Sequence, residues 1–496
     1  MIRTMTHRFR FPKLLSLAAA LFGLLTATDA AAHSGKARFH IVIDTDAAAD
    51  DLRTLCMLLG NREAEVLAVT TSEGALTPAE AALRVGALLD GFYHQGIPVG
   101  EGRAVGAPAP EWRAHSRTIG WGDTSVVNGT CLPAAELIAR TLENEEEKVV
   151  FVALGALTNL SDALRRNPSL GDRIERVVWY DGGPEPLAGD NFRTDTIAAR
   201  HILQSGIRTA VVTTHPSHPI VIAPALLDSI ANISTPYAEK IVSTHRSAPL
   251  AELIQKRHLR AWDDLAAVYL FRPELFVAQA VSPSVDICTL PDEASAEQAR
   301  QTLLSVLRGK PDSESRVFYG FPLWAECYAA DVAPLIGPAI ERHGPSEWRA
   351  GVLTNELHGH LGIYATVGVK MGIRAREYFN IGVDDIRVTS YAGLTPPVSC
   401  MNDGLQTATG ATLGHGLIAV ADNETPRPEA IFTFKDKTIR LTLKPEYAER
   451  IRRDVKKGID RYGDLTEAYW QYIRELALSY WVAFDRHEMF DLHVER

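Results

Sequence analysis

Residues 40–60 read HIVIDTDAAADDLRTLCMLLG. A run of β-branched apolar residues passes through three alanines into apolar residues at helical spacing, the pattern of a strand, a tight loop and a helix. Asp44, Asp46, Asp50 and Asp51 fall at that junction, within eight residues. Carboxylates this close raise one another's pKa unless hydrogen bonds or a cation compensate. A hard divalent ion with oxygen ligands answers that need, and calcium suits the site better than zinc because no Cys/His set accompanies it. Acidic helix caps on a solvated loop are the other reading, and Asp50 in particular suits an N-cap. The spacing is not that of the regular twelve-residue calcium loop.

Outward from this stretch, residues 38–310 repeat the same grammar. AEVLAVTTS precedes TPAEAALRVGALLDGFY, KVVFVALG precedes LTNLSDALRR, and RIERVVWYDGG precedes TDTIAARHILQSG. Strands that are apolar throughout, each feeding a helix, predict an α/β domain with a mainly parallel sheet and helices on both faces. In such a sheet the crevice lies at the carboxyl ends of the strands, where the acidic residues fall. PDSESR breaks the pattern, and 311–345 reads as a helical connection. Residues 346–496 predict a smaller α+β domain, with strands at IRVTSYAG and EAIFTFKDKTIRLTLKP and a helical extension from Pro445. A chain of 496 residues, 46% hydrophobic, is long enough for two cores.

The first 32 residues stand apart. Arg3, Arg8, Arg10 and Lys13 precede LLSLAAALFGLLTA and then Ala30, Ala31 and Ala32, the order of a signal peptide. Export to the periplasm or medium is expected, because an apolar run of about 14 residues falls short of the roughly 17–25 needed to span a bilayer. No later stretch reads as a transmembrane segment. Removing the leader takes the formal charge from -10 to -13, which gives no general reason to bind nucleic acid. Five widely spaced cysteines form no disulfide framework, and Cys56 reads as a small core residue.

The Asp-Thr-Asp, small-residue, Asp-Asp order closely resembles the opening motif of the inosine-uridine preferring nucleoside hydrolase family. LAVTTSEGALTPAEAALR, FVALGALTNLSDALRRNPSLGDRIERVVW and AWDDLAAVYLFRPELF follow in the family's order. The resemblance implies calcium held by Asp46, Asp51, the Thr158 carbonyl and Asp263, with Asp46 as general base toward the attacking water. It also implies that Asp50 and Asn191 hold ribose hydroxyls of a nucleoside-like substrate. The chain departs from the pattern at Ala75, where the family often has Asn, and at Gly189, where Glu is expected, with Asp190 as a neighbouring substitute. Trp262 stands where uridine-active relatives carry a His. Trp262 and Trp121 are read either as faces for a leaving base or as packing residues, and His215 and His218 either line the crevice or pack locally.

The second domain carries ELHGHLGIYATVGVKMG and SCMNDGLQTATGATLGHG. An extended segment would point His358 and His360 the same way, and Cys400 and Asp403 would converge from the second stretch. Such a set suits zinc or another transition metal, while isolated packing residues are the other reading. These motifs closely resemble the FmdE family, which implies a metal or small-ligand site at His358, His360 and Cys400. His415 stands where relatives commonly have Lys, which makes it a further candidate ligand.

Together these readings give an exported, calcium-dependent N-glycosyl hydrolase for a small nucleoside-like substrate, with homo-oligomers compatible. The alternatives are a non-catalytic metal or ligand binding protein, and an enzyme whose main chemistry lies in the FmdE-like domain.

Overall fold

Strand β1 (Phe39–Thr45) is buried along its whole length, which requires covered faces on both sides of the sheet. Its side chains alternate between two cores: Ile41 and Ile43 join one apolar cluster, and Val42 joins the other. The computed structural model describes residues 37–127, 131–182, 187–309, 317 and 320–495. The expected leader and residues 183–186 and 310–316 lie outside the described residues.

The first sheet contains β2 (Ala64–Thr71), β3 (Val99–Glu101), β4 (Leu132–Pro133), β5 (Val149–Ala153), β6 (Ile174–Tyr180), β7 (Thr209–Val212), β8 (Val277–Ser282) and β9 (Val285–Thr289). Their order is β4-β3-β2-β1-β5-β6-β7-β9-β8, and all pairs are parallel except β8 with β9. The chain therefore runs outward from β1 through β2 to β4, then returns to β1's other side at β5. That reversal opens a crevice at the carboxyl ends of β1, β2 and β5.

The loop into the helix Ala49–Gly60 starts from Ala48, which supplies no side-chain cap. Asp50 and Asp51 sit in the first helical turn, so the N-cap role expected for Asp50 is not the one it takes. Their charge favours the positive end of the helix dipole, and both face inward.

The second sheet has the order β11-β10-β12-β13-β14. It is formed by β10 (Arg387–Ser390), β11 (Ile418–Val420), β12 (Glu429–Phe434), β13 (Lys437–Leu443) and β14 (Phe490–Glu495). The expected hairpin is present, with Lys435 and Asp436 between its strands. The helical close divides into Pro445–Tyr462 and Glu467–Ala483, and the unforeseen β14 then completes the sheet edge beside β13.

The GVKMG stretch lies inside the helix Ile363–Phe379. A Cβ at Gly368 would lie 2.1 Å from the Met401 carbonyl oxygen, and one at Gly404 would lie 2.1 Å from that of Ala365. These glycines let two helices cross at backbone contact. The connection 311–345 contains short helical turns and the helix Ile336–His343 among its described residues.

The two domains are fastened to each other. His94 Nδ1 lies 2.6 Å from the Glu377 carbonyl, and its Nε2 lies 2.7 Å from the Tyr237 hydroxyl. Asn380 Nδ2 donates to the Leu59 carbonyl, and the Tyr93 ring stacks on His487 at 3.5 Å. Among the described residues no helix is long and apolar enough to cross a membrane, and all five cysteines are free.

Candidate metal centre and catalytic crevice

Asp46 leaves the end of β1 in a loop that is pinned on every side. Its Oδ2 accepts from the Ala75 amide at 2.9 Å, and its Oδ1 accepts from the Ala48 amide at 3.2 Å. The Asp46 amide donates to Asp51 Oδ2 at 3.0 Å, and Thr45 Oγ1 donates to the same oxygen at 2.7 Å. The loop carrying Ala75 is locked by Arg113, which donates to the Gly74 carbonyl and pairs with Glu73 at 2.9 Å.

Asp50, Asp51 and Asp263 each bring a carboxylate oxygen within 4.8 Å of the others, and all three are buried. Asp51 and Asp263 were expected to converge, and they do so from positions 212 residues apart. Asp50 completes this trio, whereas Asp46 stands beside it on backbone hydrogen bonds. Thr158 opens the helix Thr158–Arg166, and its hydroxyl donates to Asp195 at 2.9 Å.

The cluster fits a hard cation. Asp263 Oδ1 is buried without a hydrogen-bond partner, an acceptor left over for a ligand. Burial, reinforced by the neighbouring carboxylates, drives Asp51 and Asp263 well above the usual carboxylate range, and burial raises Asp46. Three desolvated acids in one place are unfavourable as anions until positive charge arrives. Asp44 takes a different part. It is held by Thr70 Oγ1 at 2.6 Å and Asn159 Nδ2 at 2.7 Å, and burial pushes it up to about 6.

Asn191 Nδ2 donates to the carbonyls of Leu154 and Tyr180, at 2.8 and 2.9 Å, so its amide clasps the ends of β5 and β6. Asp190 is exposed and pairs with Arg193, away from the acidic trio. Gly189 has a steric cause: a Cβ there would lie 2.2 Å from Asp181 Oδ1. Asp181, fully buried, accepts from the amides of Gly189 and Phe192 and fills the space a side chain at 189 would need. Sequence reasoning passed over Asp181, whose signal was a carboxylate inside an otherwise apolar strand end.

Trp121 is 1% exposed and packs edge-on against His245, with ring centroids 5.9 Å apart, so its faces are spent on the core. Trp262 is half-buried against the same core. His215 and His218 stack on each other at 5.0 Å after β7, and His218 Nδ1 lies 3.4 Å from Glu293. Tyr180, also unforeseen, ends β6 with its hydroxyl 2.9 Å from Thr214 Oγ1. Burial raises its pKa well above the ordinary value, and the charges of Asp263 and Asp50 add to that rise.

In the second domain His358 ends a helix and Gly359 turns left-handed, so the two histidines are brought together by a helix terminus rather than an extended strand. Their rings lie 4.4 Å apart. His358 Nδ1 lies 2.7 Å from Asp403 Oδ2, which leaves Nε2 buried and without a partner. Cys400, half-buried, feels the charge of Asp403, which adds to burial in raising its thiol. His415 turns elsewhere, to the Gly410 carbonyl at 3.0 Å and Asp384 at 3.3 Å. Among the described residues these groups do not assemble into a set of three close ligands. A cavity of about 720 Å³ opens beside His360 and Trp470.

His40, Glu65 and Glu145 form another close trio, at the amino ends of β1, β2 and β5. Lys435 of the β12–β13 hairpin occupies it, with Nζ 2.5 Å from Glu65 and in contact with Glu145. A lysine ammonium supplies the positive charge there.

Residues 41–318 match the model of the inosine-uridine preferring nucleoside hydrolase family, and residues 357–490 match FmdE, named for the molybdenum formylmethanofuran dehydrogenase operon. The pyrimidine-specific ribonucleoside hydrolase RihA of Klebsiella pneumoniae subsp. pneumoniae is 28% identical over 264 residues, covering 48% of this chain and 80% of its own. Its counterpart in Salmonella enteritidis is 28% identical over 260 residues, with the same coverage. Among solved structures, a plant nucleoside hydrolase aligns with 17% identity and a TM-score of 0.46, over 55% of this chain and all of that one. The inosine-uridine preferring nucleoside hydrolase of Bacillus anthracis aligns with 20% identity and a TM-score of 0.43, over 54% and 99%.

Proposed function

The chain belongs to the inosine-uridine preferring nucleoside hydrolase family, and from that premise we propose that it cleaves the N-glycosidic bond of a ribonucleoside-like compound with calcium at its acidic crevice. The observation that carries this reading is the convergence of Asp50, Asp51 and Asp263, with one oxygen of Asp263 left unpartnered in the interior. These three residues are the proposed holders of the ion, together with Asp46 and the Thr158 carbonyl that the family resemblance implies. Bound there, calcium supplies a more acidic water and an anchor for sugar hydroxyls.

Asp46 is the proposed general base. Its two backbone hydrogen bonds fix the carboxylate while leaving further lone pairs to receive a proton. The surrounding carboxylates stabilise positive charge that develops on the sugar as the bond to the base loosens. Asn191 stiffens the rim, and its carbonyl oxygen is the atom available to a ribose hydroxyl. The pyrimidine preference in the relatives' names makes pyrimidine ribonucleosides the first substrates to try.

His358, with Nδ1 held by a carboxylate and Nε2 unpartnered, has the arrangement of a metal-binding histidine, and zinc or another transition metal is the proposed ligand of the second domain. The leader sequence supports export.

Purified protein is incubated with calcium and a panel of pyrimidine, purine and modified ribonucleosides, and released sugar is measured. Cleavage of at least one is expected, with Asp46→Asn lowering kcat roughly 100-fold or more. Folded, calcium-loaded protein inert across the panel would reject the hydrolase reading.

A further inference from the structure

Arg53 is fully buried, two residues after Asp51 on the same helix, and Asp264 is fully buried next to Asp263. The Arg53 guanidinium donates Nε to Asp264 Oδ1 at 2.7 Å and Nη2 to Oδ2 at 2.5 Å, a two-pronged contact spanning 211 positions of sequence. Nη2 also donates to the Arg260 carbonyl at 3.0 Å. Nη1 lies 2.8 Å from His245 Nε2, and His245 Nδ1 lies 2.8 Å from the Ile241 carbonyl. A carbonyl only accepts, so the imidazole proton is on Nδ1 and Nε2 is the acceptor for arginine. Trp121 packs against the outer edge of this histidine.

This network ties together the two segments that make the acidic trio, and it does so through groups that do not themselves join that trio. Stability alone is a poor reason for it, because a buried ion pair replaced by packed apolar residues is often neutral or favourable. What the fork adds is direction: its geometry fixes the helix Ala49–Gly60 against the start of the helix Asp264–Phe271. Without a cation, Asp50, Asp51 and Asp263 repel, and something other than their own contacts must hold the backbone that carries them.

Resting on the reading of this crevice as a calcium site, we propose that Arg53, Asp264 and His245 are a positioning unit that forms the cation site before the cation arrives. They act through Asp50, Asp51 and Asp263, not on substrate.

Calcium affinity by titration calorimetry, thermal stability without calcium, and the calcium dependence of any hydrolysis test it. The double variant Arg53→Met/Asp264→Leu removes the fork at constant net charge. It is expected to stay folded, to bind calcium at least tenfold more weakly, and to recover much of its rate at high calcium, which a merely damaged fold would not do. Arg53→Lys keeps the charge without the fork and is expected to fall between. A folded double variant with affinity within twofold of wild type overturns the positioning role. Should the double variant not fold, Arg53→Lys and His245→Phe decide the matter: wild-type affinity in both overturns it equally. Wild-type protein that binds no calcium overturns the reading of the crevice, and this proposal with it.

Discussion

At the scale of the residue, the crevice is organised by what its small side chains leave free. A Cβ at Gly74 would stand 1.9 Å from Asp46 Oδ2, in the space the proposed base occupies. Gly74→Ala is therefore expected to displace that carboxylate and lower kcat at least tenfold, while circular dichroism shows the fold intact. Gly189 is similarly determined by Asp181. Restoring the family's side chain with Gly189→Glu is expected to cost about 1–3 kcal/mol in urea denaturation through overpacking, without a gain in activity. Asp46 and Asp51 stood out in the sequence as part of a local acidic cluster, whereas Asp263 was singled out only through the resemblance of AWDDLAAVYLFRPELF to the hydrolase family. Asp181 and Tyr180 were not, because their importance comes from loops folding back onto a strand end.

At the scale of the element, the β12–β13 hairpin was legible as two strands separated by a Lys-Asp-Lys turn, and its use was not. Lys435 adopts a left-handed backbone conformation (φ 53°) at the tip and sends its ammonium between Glu65 and Glu145 of the other domain. Asp436 adds a contact to Arg140 at 3.2 Å, and Lys437 Nζ donates to the Gly96 carbonyl at 2.9 Å. Lys435→Met leaves two carboxylates without their cation. It is expected to lower stability by about 1–3 kcal/mol in chemical denaturation, less than a fully dry pair because the lysine side chain is 30% exposed.

At the scale of the molecule, the second domain is docked on the amino-terminal rim of the first sheet, while the acidic trio lies at the carboxyl ends. Contacts at Leu59, Tyr93, His94 and Gly96, with Lys435 at the strand starts, all belong to that rim. Linkage gives the junction a pH signature. Despite its burial, Glu145 is held down at about 2 by His40 and Lys435, so its contribution is present above the ordinary 4.5 and lost as pH falls toward 2. His40 lies above its ordinary 6.5 because Glu145 and Glu65 outweigh burial and the Lys435 charge. Its contribution is full below 6.5 and fades as pH rises through the raised value. Denaturation midpoints measured from pH 3 to 9 are expected to be highest on the mildly acidic side of neutrality, with the acidic-to-alkaline decline reduced in His40→Gln.

Sequence by itself determined the α/β and α+β classes and the strand–loop–helix that carries Asp46 to Asp51, because hydrophobic period and turn chemistry are local, while the later motif that carries Asp263 was legible only through its resemblance to the family. Only the tertiary structure decided that Asp50 joins Asp51 and Asp263, that Trp121 is spent on His245, that His415 turns toward Asp384, and that a lysine closes the second trio. Each of these depends on which side chains long-range packing brings into one desolvated space, and no spacing along the chain encodes that.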